Sequence, residues 1–181
     1  FYACWPYNEE SGTDPHSVPV SIPAVQAQES NNVTGHLDGV DFMGTASENL
    51  SKADGTDVTF GFHHAFSVLD LEVTNDKRMF VGEIILRCTS NPNAPVSFTG
   101  ATIDLATGKV DLSKAVTSSE IRLQCGFATS YPASSHFYLV FNPALGGETI
   151  RVLAKIGENE LLLAEKKVPD EGLPVGKTIN L

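Results

Sequence analysis

The chain opens on a run of strand-forming residues that decides what kind of fold the rest must complete: Phe1-Tyr2-Ala3-Cys4-Trp5-Pro6-Tyr7. Aromatic side chains favour β-strands, and the alternation of a strand puts Phe1, Ala3 and Trp5 on one face. Tyr2 and Cys4 fall on the other face, and the strand is expected to end at the proline because proline has no N–H to donate. Chain termini are usually polar and frayed. We therefore expect this chain to begin inside a strand, with residues that precede it not represented.

Strand signals continue along the whole sequence, and turn residues separate them. No segment carries a sustained apolar period of 3.6 residues, which an amphipathic helix would require. The sequence therefore predicts an all-β fold, an antiparallel β-sandwich of transthyretin- or immunoglobulin-like architecture or a partly open barrel. The predicted strands are 1–5, 18–22, 41–46, 58–73, 79–88, 101–105, 109–112, 120–125, 136–141, 149–156, 160–166 and 177–181.

Several features of this strand map predict how the strands associate. Pro19 and Pro23 bracket the strand 18–22, so we expect it at a sheet edge. In 58–73 the apolar parity changes between Val68 and Leu69, which predicts a bulge or a crossing between sheets. A turn at 75–78 predicts a hairpin that pairs this strand with 79–88, and the turn 157–159 predicts a hairpin of 149–156 with 160–166. The apolar segment 136–141 is expected to be a central strand.

The composition bounds the class of protein. A length of 181 residues suits one β domain over 1–181, or one domain with a small extension. Charged residues make up 19%, and the net charge is −10. An acidic surface repels phosphate backbones, so we expect no nucleic-acid partner. No apolar run approaches the ~20 residues that span a bilayer, and a signal peptide or lipid anchor would lie upstream.

Two motifs resemble sites of chemistry but lack what the chemistry needs. Residues 172–178 resemble a phosphate-binding loop, but three residues instead of four separate the glycines, and too few follow to form a helix. We therefore expect no nucleotide. His63 and His64 are adjacent and would point to opposite faces of a strand, so they cannot share one metal. We expect His64 to be packed, with a satisfied ring nitrogen.

Other catalytic arrangements are equally weak. Asp104 and Asp111 flank a turn, and paired carboxylates of a glycosidase would need a cleft between them. The chain has no Gly-x-Ser-x-Gly elbow for a nucleophilic serine. The sequence therefore predicts no enzymatic activity and no cofactor.

The cysteines and the exposed aromatic residues complete the candidate list. Cys4, Cys88 and Cys125 are an odd number of thiols, read as small buried apolar side chains; one disulfide or a metal site are the alternatives. Trp5 and Tyr138 are expected in the core because of their strand positions. Tyr131 precedes a proline in a loop and is the candidate for an exposed ring that stacks on a sugar.

A set of ordered segments covers most of the chain: 1–8, the short strand 20–22 with Gln26 and Gln28, 41–46, 58–67 with its Phe-x-His-Ala core, 103–108 and 176–181. Together these segments resemble the fimbrillin family of Bacteroides-type bacteria. Cys4 and Trp5 stand where that family tends to have Tyr, which does not threaten the fold.

The resemblance implies a cell-surface protein exported as a lipoprotein: a subunit or tip component of a fimbria, or an adhesin of the outer membrane. Family subunits are thought to polymerise by strand exchange, so the implied partners are other fimbrial subunits, with a host or bacterial surface protein or glycan as a receptor. A sheet that lacks a strand exposes unpaired backbone groups, which an added strand satisfies. We expect this vacancy beside the first strand, which makes Phe1, Tyr2, Ala3, Cys4 and Trp5 the candidate assembly edge. The alternative is a carbohydrate-binding surface lipoprotein of a glycan-uptake system.

Overall fold

A computed structural model describes residues 2–7, 14–46 and 60–180 of the chain. In these ranges the secondary structure consists of β-strands and one short 3-10 helix, Gly35–Gly39, with no α-helix. The fold is an all-β sandwich, as the sequence predicts. None of the helical structure in the described ranges is long and apolar enough to cross a membrane.

The strands of the first half of the chain belong to several sheets. The first sheet has the order β1-β4-β5, and β8 joins β2 on one side to β10 and β9 on the other in the second sheet. The strands are β1 (Tyr2–Trp5), β2 (Val18–Ile22), β3 (Val25–Ala27), β4 (Met43–Ala46), β5 (His63–His64), β6 (Ser67–Val73), β7 (Phe80–Cys88), β8 (Ser97–Asp104), β9 (Lys109–Asp111) and β10 (Val116–Ser118).

The remaining strands complete two further sheets. The third sheet is the largest, with the order β14-β13-β7-β11-β3, and the fourth has the order β12-β6-β15. Most pairings are antiparallel, but β3 runs parallel to β11 and β15 runs parallel to β6. These strands are β11 (Glu120–Ala128), β12 (Ser135–Phe141), β13 (Thr149–Ile156), β14 (Asn159–Lys167) and β15 (Thr178–Asn180).

One apolar core joins the sheets, because strand alternation turns every second side chain inward. The rings of Phe66 and Phe98 meet edge to face with centroids 5.6 Å apart, and Phe127 stacks on Phe137 at 5.6 Å. Such contacts add ~0.5–1.5 kcal/mol per pair beyond the burial of area. The core therefore links β8 and β11 to the fourth sheet through aromatic side chains.

The predicted long strand 58–73 is interrupted, and its first two residues lie outside the described ranges. The expected crossing between sheets exists, but at Ala65–Phe66 and not at Val68–Leu69: β5 pairs with β4, and β6 pairs with β12 and β15. Register is continuous through Val68 and Leu69, so the predicted bulge there is wrong. Phe66 enters the core at this crossing and is 1% exposed.

Two other predictions, one on a hairpin and one on the position of a strand in its sheet, are also wrong. The turn at 75–78 does not make a hairpin, because β6 and β7 enter different sheets. Strand β12 is not central, because β6 is its only strand partner among the residues described. By contrast, β2 is an outer strand as its prolines predict, and β13 and β14 form the expected hairpin.

The three thiols are free, as expected: Cys88 is buried, and Cys4 and Cys125 are half-buried. Burial raises the pKa of Cys125 to about 12 and raises the pKa of Cys4 as well. Because the thiolate is the nucleophile, raised pKa values make these two side chains poorly reactive.

Candidate assembly edge

Strand β1 is the outer strand of its sheet. It pairs antiparallel with β4 from Tyr2 opposite Ala46 to Trp5 opposite Met43, and with no other strand in the described part of the chain. An outer strand carries backbone N–H and C=O groups on its free side that no partner strand satisfies. The side chain of Phe1 lies outside the described residues.

The side chains of β1 do not follow the expected division between core and solvent. Cys4 packs against the core and Ala3 is half-buried, whereas Tyr2 and Trp5 are exposed. The prediction that Trp5 is a core residue is wrong: 52% of its surface is accessible. With only one strand beside it, β1 has too few neighbours to cover an indole ring.

The ends of β1 lie next to β2, the outer strand of another sheet. The ring of Tyr2 meets that of His16, just before β2, with centroids 5.8 Å apart. At the other end Pro6 lines a cavity of about 240 Å³ with Pro19, Val20 and Phe42. Two outer strands therefore flank one region of the surface, and a small cavity opens beside them.

Strand β12 is also an outer strand, but its free side differs from that of β1. Side-chain amides form the hydrogen bonds that a neighbouring strand would otherwise form with its backbone. Gln26 donates from Nε2 to the carbonyl of Val140 (2.7 Å) and accepts the N–H of Val140 on Oε1 (2.9 Å). Gln28 does the same two residues away, accepting the N–H of Tyr138 (2.9 Å) and donating to the carbonyl of His136 (2.9 Å).

Two further residues form hydrogen bonds with the same free side of β12. Asn32 accepts the N–H of His136 on Oδ1 (2.8 Å), and the Nε2 of His36 lies 2.8 Å from the carbonyl of Tyr138. A carbonyl oxygen only accepts, so Nε2 of His36 carries the proton. Each N–H and C=O of His136, Tyr138 and Val140 thus has a partner, and β12 offers no free group there to an added strand. We call the four residues Gln26, Gln28, Asn32 and His36 the amide seal.

The position of the two glutamines follows from strand alternation. In β3 the side chains of Val25 and Ala27 face solvent and that of Gln26 is 5% exposed; Gln28, two residues on, is 2% exposed. They therefore reach across the sandwich from β3, which belongs to the third sheet, to β12 in the fourth. Sequence reasoning missed this role, and the available signal was a pair of glutamines at i and i+2 on either side of Ala27.

The predicted stacking ring, Tyr131, lies in the loop before β12 and is 50% exposed, as expected. It has no aromatic partner in the described part of the chain. Tyr138, predicted in the core, is only half-buried, and its ring stacks on His136 with centroids 6.0 Å apart.

The motifs that resembled catalytic or ligand sites have structural explanations. The glycine-rich segment 172–178 leads into β15, and the N–H of Gly176 donates to the carbonyl of Phe66 (3.0 Å). His64 has a satisfied ring nitrogen as predicted, because its Nδ1 lies 2.8 Å from Asp41 Oδ2, but it is not packed, since its side chain is 46% exposed. In residues 2–7, 14–46 and 60–180, no three His, Cys, Asp or Glu side chains are grouped so that they could hold a metal ion.

The carboxylates of Asp104 and Asp111 each accept a backbone N–H from the residue two positions later, in the turn that follows. The pKa of Asp111 is lowered chiefly by the N–H of Ser113. Desolvation opposes the same shift at Asp104, but the N–H of Ala106 and the ring of His16 leave its pKa lowered too. A general acid requires a raised pKa, so this pair lacks the electrostatics of a glycosidase site.

Comparison with known proteins agrees with this architecture. Two solved structures are similar over 99% of this chain: a candidate cell adhesion protein from Bacteroides ovatus, at 17% identity and a TM-score of 0.58, and another from Bacteroides uniformis, at 19% and 0.60. The chain spans 60% of the length of the first and 66% of the second. At these identities the likeness concerns the fold. A search of curated proteins finds no match.

The relationship in sequence is carried by a family model. The model described as fimbrillin-like matches residues 1–166, which is most of the chain and includes β1, the amide seal and most of β14. This chain therefore belongs to the fimbrillin-like family.

Proposed function

We propose that this chain is a structural or adhesive component of a fimbria at the outer membrane of the cell surface. In this proposal it assembles with other fimbrial subunits by accepting a β-strand at the free side of β1. The observation that carries the proposal is that β1 is an outer strand with exposed aromatic side chains, whereas an amide seal closes β12. Membership of the fimbrillin-like family supports the fimbrial role.

Strand addition is most favourable where side chains of the incoming strand can fill apolar pockets. Each backbone hydrogen bond nets ~0.5–1.5 kcal/mol, and ordering costs ~1–2 kcal/mol for each residue of the incoming strand. A buried aliphatic side chain contributes ~1.5–3 kcal/mol, so a few filled pockets decide whether the strand stays. The cavity beside Pro6 and Val20 offers one such place, and the exposed ring of Trp5 offers apolar surface.

Trp5 makes the proposal testable with a native probe, because it is the only tryptophan of the sequence. The exported precursor is cleaved by limited proteolysis, and assembly is followed by size-exclusion chromatography and negative-stain electron microscopy. Acrylamide quenching of Trp5 fluorescence is measured before and after cleavage. We expect fibres or ladders in which Trp5 is less quenched and emits at shorter wavelength than in the monomer.

A matched control moves the probe to another outer strand. In a variant with Trp5→Phe and Val116→Trp, the indole sits on β10 at a side chain that is exposed in the parent protein. Its quenching should stay unchanged on assembly. Fibres in which Trp5 remains as accessible as in the monomer would place the accepting edge elsewhere, and a chain that stays monomeric after cleavage would remove the support for strand exchange.

The second candidate function is glycan binding by a surface lipoprotein, and the half-exposed ring of Tyr131 is the observation that favours it. Stacking on a sugar would make Tyr131→Ala lose binding on a glycan array while its unfolding transition stays unchanged. Retention of every array signal in that variant would exclude this ring as a ligand platform.

A further inference from the structure

Strand β14 is the longest strand with a free side in the described part of the chain. Its nine residues, Asn159–Lys167, pair with β13 alone at the outer side of the five-stranded sheet. No side chain of the described residues donates to or accepts from its backbone, in contrast to the amide seal on β12. Its outer backbone groups are therefore available to another strand.

The middle of β14 is apolar on both faces. Leu161 is 51% exposed and Leu162 is 50% exposed, although both are paired with β13. The register shifts directly after Leu162, where Leu163 is the extra residue of β14. Leu162 lies opposite Leu153, and Leu161 opposite Ala154, so alternation directs the two leucines to different sides of the sheet. A strand added at this edge would cover part of both side chains.

The charges of β14 are polarised along the strand. Glu158 and Glu160 lie at its start, and Lys166 and Lys167 lie at its end. Glu165 forms an ion pair with Arg151, and Glu160 forms one with Arg87. Among the described residues, Glu158 at the start and Lys166 and Lys167 at the end have no ion pair, so the start remains acidic and the end basic. If two copies of β14 paired in parallel, lysines would meet lysines and glutamates would meet glutamates. Antiparallel pairing puts each acidic end beside a basic end, which is the favourable arrangement.

We propose that β14 pairs antiparallel with β14 of a second copy of this chain, across a two-fold axis, and joins two five-stranded sheets into one. Such an interface is isologous, so one strand supplies both partner surfaces. The proposal does not rest on the fimbrial function and uses a different edge from β1.

We expect the pairing to be weak and reversible. One strand from each copy buries less surface than the ~1,200–2,000 Å² of a stable interface. Each chain also carries a net charge of −10, which opposes association at low ionic strength. The dimer should therefore appear at high protein concentration and strengthen as moderate salt screens the overall repulsion.

The test is sedimentation equilibrium of the 181-residue chain and of two charge variants. Glu158→Lys with Glu160→Lys makes both ends of β14 basic, and Lys166→Glu with Lys167→Glu makes both ends acidic. Each variant alone should dimerise at least about tenfold more weakly, because like charges meet at both ends. An equimolar mixture of the two should restore association, since every basic end then meets an acidic end.

A control separates this effect from net charge. Lys109→Glu with Lys114→Glu changes the net charge as much as the acidic variant does, but the new charges lie at β9 and the loop after it, so its dimerisation should match that of the parent chain. Circular dichroism verifies folding. The variant with Glu160→Lys could lose structure because its ion pair with Arg87 is broken. In that case Leu162→Gln is used instead, and it should weaken the dimer without changing the fold.

Three outcomes would overturn the proposal: a parent chain that is monomeric at millimolar concentration, variants that dimerise like the parent, or a mixture that does not recover association. Trp5 quenching distinguishes the two edges. Dimerisation through β14 should leave Trp5 as accessible as in the monomer, whereas strand addition at β1 should protect it.

Discussion

Strands β12 and β14 are both outer strands of the same sandwich, yet their free sides have opposite character. On β12 the outward N–H and C=O groups of three residues are satisfied, chiefly by neutral side chains that reach across from β3 and the segment after it. On β14 the outer backbone has no such partners among the described residues, and exposed leucines lie between charged ends. The difference shows that a sheet edge can be closed chiefly by side chains, without a neighbouring strand.

The largest effect is expected where the amide seal is broken at its most buried point. Gln26→Ala leaves both backbone groups of Val140 without a partner in a dry environment. Each orphaned group costs ~1–3 kcal/mol, so the free energy of unfolding should fall by about 2–4 kcal/mol. Urea denaturation measures this.

Two matched variants sharpen the result. Gln124→Ala makes the same chemical change on an exposed side chain of β11 and should cost less than about 0.5 kcal/mol. Gln26→Met keeps the length and apolar bulk of the side chain and should be nearly as harmful as Gln26→Ala. If Gln26→Met were as stable as the parent, the hydrogen bonds would not be the source of the stability.

Gln28→Ala should have a smaller effect of about 1–3 kcal/mol, because it leaves one buried backbone group without a partner instead of two. The carbonyl of Ser30 also loses the amide of Gln28, but Ser30 is exposed, so water can replace that bond. The N–H of Tyr138 loses its acceptor, whereas the carbonyl of His136 keeps the N–H of Asn32 at 3.3 Å. Equal losses for Gln26→Ala and Gln28→Ala in the same urea titrations would contradict this ranking.

Hydrogen exchange compares the two edges directly. In the parent chain the amides of Tyr138 and Val140 should exchange slowly although β12 is an outer strand, and alternate amides of β14 should exchange quickly. Gln28→Ala should release the amide of Tyr138 while the inner amides of β12, bonded to β6, stay slow. Equal protection of the outward amides in β12 and β14 would show that the free sides of these strands do not differ.

The smallest expected effect is that of acid on the charged edge. Hydrogen bonds from Arg87 lower the pKa of Glu160, against desolvation. A lowered folded-state pKa gives a stabilisation that is present above the unfolded pKa, about 4.3, and is lost as pH falls through the folded value. Acidification through this range should weaken the contact between Glu160 and Arg87.

Glu160→Gln is the matched variant for this titration. It should flatten the acid limb of stability, measured by urea titration at a series of pH values. The bonds of Gln26 and Gln28 involve no ionisable group, so protection of Val140 and Tyr138 should not follow this titration. An acid limb unchanged in Glu160→Gln would assign the pH dependence to another carboxylate.

Most strands could be predicted because their signals are local. Alternation of apolar residues marks β7 and β11, and Gly157 with its neighbours marks the β13–β14 hairpin. Prolines mark β2 as an outer strand because a missing N–H affects any ladder. Which strands pair with each other has no such local signal. The turn at 75–78 therefore predicts a hairpin of β6 and β7, although it leads from one sheet into another.

Some features of the candidate sites could also be predicted from local sequence, and others could not. The first strand and the exposed loop ring of Tyr131 could be recognised from the residues. The exposure of Trp5 could not be, because alternation tells which side chains share a face but not whether another strand covers that face. The role of Gln26 and Gln28 depends on β12, more than 100 residues further along the chain.

The sequence by itself determined the all-β class, the acidic surface and most strand positions, because backbone preference and apolar alternation act over a few residues. Only the tertiary structure decided which strands are outer and which of those are closed. The apolar run of β12 would suit a central strand equally well, since its backbone is satisfied in either case. The partner of an outward N–H is set by what folding brings beside it, here the side chain of a glutamine from the opposite sheet.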